Sequence, residues 1–291
     1  MKYDIRLELE YLYQPPVAAG RHLVRVTPLT VRGVQRVVAS SLLFDPNPVE
    51  RSDSRDFFGN AVVAVAYREP HANFKVGMTA RVVVDAASSM LDVSPDLSTL
   101  RRELNAVRSL APDSPHHFTV ESPRIALDDA ITAYAGKGLA ATATVTEIVA
   151  SFGDRIHREF RFDSASTNVD TLPAEAFAIR RGVCQDFTHV MIAGLRGLGI
   201  PAGYVSGFVS TVPPPGKERL VGADAMHAWV RAWCGNETGW IGYDPTNGTF
   251  AGEDHIAVAI GRDYEDVAPV AGVLRTAGRQ RTTQAVDVVP V

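Results

Sequence analysis

The chain has 291 residues, 46% hydrophobic and 21% charged, which suits one large or two ordinary globular domains. Its net charge of −4 gives no electrostatic case for nucleic acid or an anionic membrane as a partner. No apolar run approaches the roughly 20 residues of a membrane helix, and the charged start Met1-Lys2-Tyr3-Asp4-Ile5-Arg6 lacks a signal-peptide apolar region, so a cytoplasmic location is the expectation.

Residues 3 to 11 alternate strictly, with Tyr3, Ile5, Leu7, Leu9 and Tyr11 on one face and charged residues on the other. That pattern predicts a half-buried strand, broken at Pro15-Pro16. His22 to Val26, Val34 to Ala39, Ala61 to Tyr67 and the alternating run from Phe74 to Val84 predict further strands. Residues 1–88 thus read as a small all-β domain. Ser94-Pro95-Asp96 predicts a helix start, with Ser94 as the cap and Leu97, Leu100, Leu104 and Val107 as its apolar stripe. Residues 89–119 are a helical linker ending in a loop. Its His116-His117 pair has no nearby cysteine or second pair to complete a metal site.

Residues 120–291 form the expected core. Asp128 to Tyr134 is a short helix. Thr144-Val145-Thr146-Glu147 fits a capping box before an apolar stripe that ends near His157. Thr171 to Ile179 is another short helix. It leads into Arg180-Arg181-Gly182-Val183-Cys184-Gln185-Asp186-Phe187, a tight turn that delivers a cysteine to a helix start. Val190, Met191, Leu195 and Leu198 have helical spacing, Gly199 ends the run and Pro201 forbids its return. At a helix start the unpaired N–H groups and partial positive charge favour a thiolate, the nucleophilic form. Asp186 suits the same first turn on dipole grounds. Ala202 to Val209 is a strand, and Pro213-Pro214-Pro215-Gly216-Lys217-Glu218 is a loop with a surface position as its default. Two strands follow, carrying Asp224-Ala225-Met226-His227-Ala228-Trp229 and Gly242-Tyr243-Asp244-Pro245-Thr246-Asn247-Gly248. Residues 272 to 279 look loose, and Ala285 to Val289 is a final strand. Helices followed by strands make the core α+β.

A thiol acyl transfer needs a nucleophile, a base able to return its proton, a group that orients the base, and oxyanion donors. Cys184, His227 and Asp244 are candidates for the first three, and the backbone N–H of Cys184 for the last. Each also has a plain structural reading: a small buried hydrophobe, a satisfied core histidine beside Trp229, and a turn former before Pro245. A metal site on the same three residues is a further alternative. His189 and His255 lack such contexts and read as structural. Cys234, seven residues after His227, faces the other side of a regular strand and reads as a packing cysteine.

The sequences G-V-C-Q-D-F, D-A-M-H-A-W and G-Y-D-P-T-N-G, in that order, resemble the transglutaminase-like superfamily. His255 to Ile260 and Gly261-Arg262-Asp263-Tyr264 continue the likeness, and residues 1–88 resemble the N-terminal domain found ahead of many bacterial cores of this kind. The resemblance implies a papain/transglutaminase-like fold and a Cys184–His227–Asp244 triad that attacks an amide carbonyl and passes through a thioester. Hydrolysis of a peptide or amide is the expectation, with a peptide or protein substrate and no cofactor or metal. Transfer to an amine, as in a transglutaminase, and a non-catalytic peptide-binding module on the same fold are the alternatives. Trp233 to Trp240 reads as a hairpin. If those two tryptophans sit opposite one another, Asp244 falls on the His227 face, and a one-residue slip without a bulge moves it to the other.

Overall fold

The computed structural model describes residues 1–85, 91–211, 224–274 and 278–291. The chain opens with six strands: β1 (Lys2–Val17), β2 (Gly20–Val24), β3 (Gln35–Asp45), β4 (Glu50–Arg55), β5 (Ala61–Tyr67) and β6 (His71–Val84). Helix α1 (Leu97–Ala106) and a 3-10 turn at Pro115–Phe118 lead to α2 (Asp129–Gly136), α3 (Val145–Glu159), the two-residue β7 (Arg161–Phe162), α4 (Pro173–Ile179) and the two-residue β8 (Arg181–Gly182). Next come α5 (Cys184–Gly197), β9 (Ala202–Val209), β10 (Met226–Trp233), β11 (Trp240–Asp244), β12 (Thr249–Phe250) and β13 (His255–Gly261). The chain closes with α6 (Tyr264–Val267), β14 (Val270–Leu274) and β15 (Arg279–Pro290). An all-β unit thus precedes a core of helices followed by an antiparallel sheet, the α+β class expected. Among the described residues no helix is long and apolar enough to cross a membrane.

The β unit is two four-stranded sheets, ordered β15-β1-β6-β3 and β14-β2-β5-β4. Alternation along β1 sends Tyr3, Ile5, Leu7 and Leu9 inward, each at most 3% exposed. Burying each such side chain contributes about 1.5–3 kcal/mol. The sheets face each other through the ring of His22, stacked at 4.3 Å on Phe74. Pro15-Pro16 interrupts the ladder with β6, which shifts register between Leu12 and Val17, yet β1 stays paired to β15 as far as Gln14. Residues 279–290, grouped by the sequence with the core, pair along β1, and Val270–Leu274 pair with β2. The two ends of the chain therefore build one sandwich.

Helix α1 is capped by Asp96, whose carboxylate accepts from Thr99 N at 2.8 Å, and not by Ser94. The Ser94 hydroxyl is already committed: it donates to Asp92 at 2.6 Å and accepts from Thr146 N at 3.0 Å, tying the linker to the first turn of α3. The Thr144–Glu147 capping box forms as its spacing predicts. Helix α5 is buried from Asp186 to Arg196 and lies against the core sheet, ordered β12-β11-β10-β9-β13. At its far end the buried Arg196 donates to the carbonyls of Ala202, Val120 and Arg262 and to the Ser122 hydroxyl, which anchors the helix lengthwise.

The β unit and the core meet at β13, an edge strand of the core sheet. Buried Gln35 donates to Ala257 O and accepts from Ala257 N, both at 2.8 Å. Buried Asn60 does the same at Ile260, again at 2.8 Å both ways. Together with Leu29 N, which donates to Ala257 O at 2.9 Å, these two side-chain amides satisfy the edge of β13.

Candidate active site

The turn before α5 is fixed by three residues. Arg180 adopts a left-handed conformation (φ 54°). Its guanidinium lies 4.0 Å from the Phe177 ring centroid, 4.1 Å from Tyr134 and 4.9 Å from Phe160. That stacking holds a backbone angle that L-residues otherwise avoid. Gly182 (φ 154°) leaves no room for a side chain, since a Cβ there would stand 2.4 Å from Asp186 Oδ2. Asp186 is buried. It accepts from Val183 N at 2.8 Å and from the Thr167 hydroxyl at 2.7 Å, and burial raises its carboxyl above the ordinary value. Its work is to close the turn, beyond the dipole effect read from the sequence.

These contacts set Cys184, half-buried, at the first position of α5 with its own N–H at the open end of the helix. His227 lies on β10, its side chain 14% exposed, with Nε2 2.7 Å from Asp244 Oδ2. The Cys184 side chain is close enough to the imidazole to favour its charged form. With Nε2 engaged by Asp244, Nδ1 is the ring nitrogen left for the sulfur. Burial disfavours the charged imidazole, but Asp244 and Cys184 outweigh it and raise the ring from 6.5 to about 10. Burial alone would raise the Asp244 carboxyl. Its bonds to His227 and His255 reverse that and hold it well below the usual carboxylate range.

The hairpin register is the one that puts both residues on one face: Trp233 pairs with Trp240 and Val230 with Tyr243. Asp244 is also the turn former of the structural reading. Its Oδ1 accepts from Thr246 N at 2.8 Å and Asn247 N at 3.1 Å, and its carbonyl accepts from Gly248 N at 2.8 Å. The same turn brings Asn247 Nδ2 to Oδ2 at 2.7 Å. Turn and carboxylate are one device. His157 on α3 fastens it from outside, with Nδ1 2.8 Å from Thr246 O.

Two residues on the carboxylate were not read from the sequence. Asn247 was visible in the D-P-T-N-G turn as a side chain three residues beyond the acid. His255, read as structural, stands with Nε2 3.3 Å from Asp244 Oδ2 and Nδ1 2.6 Å from Asp254 Oδ1. Nothing local signals that contact. Trp229 separates the two histidines, 6.4 Å from the His227 ring and 5.1 Å edge-on to His255. Gly207 admits it, because a Cβ there would lie 2.5 Å from the indole.

The remaining candidates lie elsewhere. Cys234 is buried under the hairpin, and burial pushes its thiol up to about 12. His189 is buried on α5 and accepts from Tyr264 N at 3.2 Å. The imidazoles of His116 and His117 reach the Val107 and Leu110 carbonyls, at 3.0 and 3.1 Å. Gln185 Nε2 donates to Val169 O at 3.0 Å. The proline-rich loop at 213–218 is outside the described residues. Among the described residues no group of three or more His, Cys, Asp or Glu side chains is arranged to hold a metal ion.

Residues 3–83 match the bacterial transglutaminase-like N-terminal region, and residues 132–245 match the transglutaminase-like superfamily core. The uncharacterized protein Rv2569c of Mycobacterium tuberculosis (strain ATCC 25618 / H37Rv) is 34% identical over 301 residues, spanning 99% of this chain and 93% of its own. The uncharacterized protein ML0607 of Mycobacterium leprae (strain TN) is 31% identical over 268 residues, spanning 90% of this chain and 89% of its own. A candidate cysteine protease from Cytophaga hutchinsonii shares the fold, with a TM-score of 0.73 and 24% identity over 99% of this chain and 90% of that one. The chain therefore belongs to the transglutaminase-like superfamily, with the bacterial transglutaminase-like N-terminal region ahead of its core.

Proposed function

We propose that the protein is a thiol-dependent acyl-transfer enzyme that hydrolyses a peptide or amide bond. The observation that carries this reading is the His227–Asp244 pair, with Nε2 2.7 Å from the buried carboxylate, next to Cys184 at the start of α5. Cys184 Sγ, its proton already passed to His227, attacks the carbonyl carbon. The Cys184 N–H, at the open end of α5, faces the developing oxyanion. The C–N bond then breaks, and the amine leaves with the proton from His227. Water, deprotonated by His227, cleaves the thioester and frees the acid and the thiol. Asp244 holds the imidazole orientation throughout and stabilises its charged form. The description of the Cytophaga protein as a candidate cysteine protease points the same way.

The test is mass spectrometry of a peptide library incubated with the protein, with and without an added primary amine, alongside Cys184→Ser. Cleaved or deamidated peptides that vanish in Cys184→Ser are the expected result. An amine adduct formed in preference to hydrolysis would move the reading to a transferase. Products that persist in Cys184→Ser would end it.

A further inference from the structure

The donors on Asp244 are not equivalent. Thr246 N, Asn247 N and Asn247 Nδ2 belong to the turn that Asp244 itself begins, so they move with it. His255 is different. It is the first residue of β13, which pairs with β9 in a sheet ordered β12-β11-β10-β9-β13, so its bond to the end of β11 spans two intervening strands. It meets Oδ2, the same oxygen that receives His227. The imidazole is 2% exposed and held on its other edge, where Asp254 Oδ1 stands 2.6 Å and Gly252 N 3.3 Å from Nδ1. Trp229 presses edge-on against its ring. A histidine present only to fill space has no need of a partner on each nitrogen.

We propose that His255 is a positioning residue for the reaction: its Nε2 pins Asp244 Oδ2 across the sheet, and so fixes the imidazole of His227 toward Cys184. This rests on the assignment of Cys184, His227 and Asp244 given above. Without His255, Asp244 is located only by its own turn. Any movement of that turn then swings the carboxylate, and the His227 ring swings with it. Outer partners of this kind typically contribute about 10- to 100-fold at metal sites, and one donor among several belongs at the low end.

The test uses two substitutions of opposite character in the full chain. His255→Phe keeps the flat ring against Trp229 and removes the donor. His255→Gln loses the ring and keeps an N–H at the Nε2 reach. Two probes read the site: the rate at which iodoacetamide alkylates Cys184, and the turnover of the activated ester p-nitrophenyl acetate. His255→Phe should lower kcat and the alkylation rate by about tenfold with KM little changed, and His255→Gln should restore most of the loss. If His255→Phe matches the parent, or if both variants lose equally, the inference is overturned and His255 is a packing residue. His227→Ala separates this from failure of the underlying assignment. If it leaves both probes unchanged, the triad falls and the inference falls with it. If it slows them while His255→Phe does not, only the inference falls. Should the His255 variants fail to fold, Asp254→Ala carries the test, since that carboxylate is half exposed at 52% and its loss leaves the core intact. About a threefold slower alkylation of Cys184 supports the proposal, by the same outer-partner logic, and an unchanged rate overturns it.

Discussion

The two cysteines stand at opposite ends of what a fold can do to a thiol. Cys184 is half-buried at the first position of a helix, where the His227 imidazole faces it. Cys234, fully buried beneath the β10–β11 hairpin, has the Ala232 carbonyl at 3.8 Å, and burial pushes its thiol up to about 12. The residue is the same and so is the chain. The difference lies in which backbone geometry each is attached to. A helix start offers donors and positive potential, whereas the hairpin link offers mainly burial. A cysteine's chemistry is thus a property of the turn before it, here Arg180 to Val183.

The sharpest way to break this comparison is to remove the orienting acid. Asp244→Asn keeps the turn's shape but gives His227 an amide where it needs a carboxylate. At a serine triad the equivalent change costs about 10⁴-fold in kcat, through the wrong imidazole tautomer. A loss of that order in Cys184-dependent turnover, with a circular dichroism spectrum like the parent's, is expected. A variant that retains most of its turnover would leave Asp244 as a turn former only.

Next in size is the contrast between the thiols themselves. In folded protein at neutral pH, iodoacetamide should label Cys184 faster than Cys234 by at least about a hundredfold, because thiolate and access are both required. Peptide mapping after timed quenching reads both sites in one sample. Equal rates, or faster labelling at Cys234, would reverse the assignment. His227→Ala should remove most of the Cys184 advantage while leaving Cys234 as slow as before. Cys234 therefore serves as an internal gauge of unfolding.

The pH dependence has a definite sign. His227 is raised from 6.5 to about 10 by its partners, so its charged form contributes stability that is fully present below about 6.5 and lost as pH rises through about 10. Asp244 is lowered, so its contribution is present above the ordinary carboxylate value and lost as pH falls through its folded value. Urea unfolding of the parent and of His227→Gln at pH 6, 8 and 10 should show a stability gap that narrows toward pH 10. A gap that stays constant across this range would mean that the charged imidazole is not held in the fold.

Much of this site was legible in the sequence because its chemistry is local. Gly182 before a helical run announced the turn, and Trp233 and Trp240 flanking a turn-rich link set the register that brings Asp244 to His227. What could not be read is what the chain brings together from a distance. Arg180 is caged by Tyr134, Phe160 and Phe177, which come from three separate segments. His255 reaches Asp244 over two strands. Strand β4, Glu-Arg-Ser-Asp-Ser-Arg, is exposed along its whole length and so carries no alternation to detect. The pairing of β15 with β1 joins the chain's two ends, which no periodicity encodes.

The smallest expected effect is the one that sharpens the comparison most, because it separates local from global disturbance. Gln35 and Asn60 grip β13 by the same device, at Ala257 and Ile260 respectively. Replacing either by leucine leaves buried backbone groups unpaired and costs about 1–3 kcal/mol for each group left unsatisfied. Both variants should therefore lower thermal stability, and both should label Cys234 somewhat faster through global opening. Their effects on Cys184 should differ. Ala257 is two residues from His255, whereas Ile260 is five residues away, beyond the register shift between Ala257 and Ala259. Loosening the nearer grip frees the start of β13, and with it the imidazole that pins Asp244. Gln35→Leu should slow p-nitrophenyl acetate turnover about threefold, and Asn60→Leu should leave it near the parent value, as expected when a positioning contact is weakened rather than removed. Equal loss in both, in proportion to the fall in stability, would mean that the β unit supports the core as a whole and does not reach the site through β13.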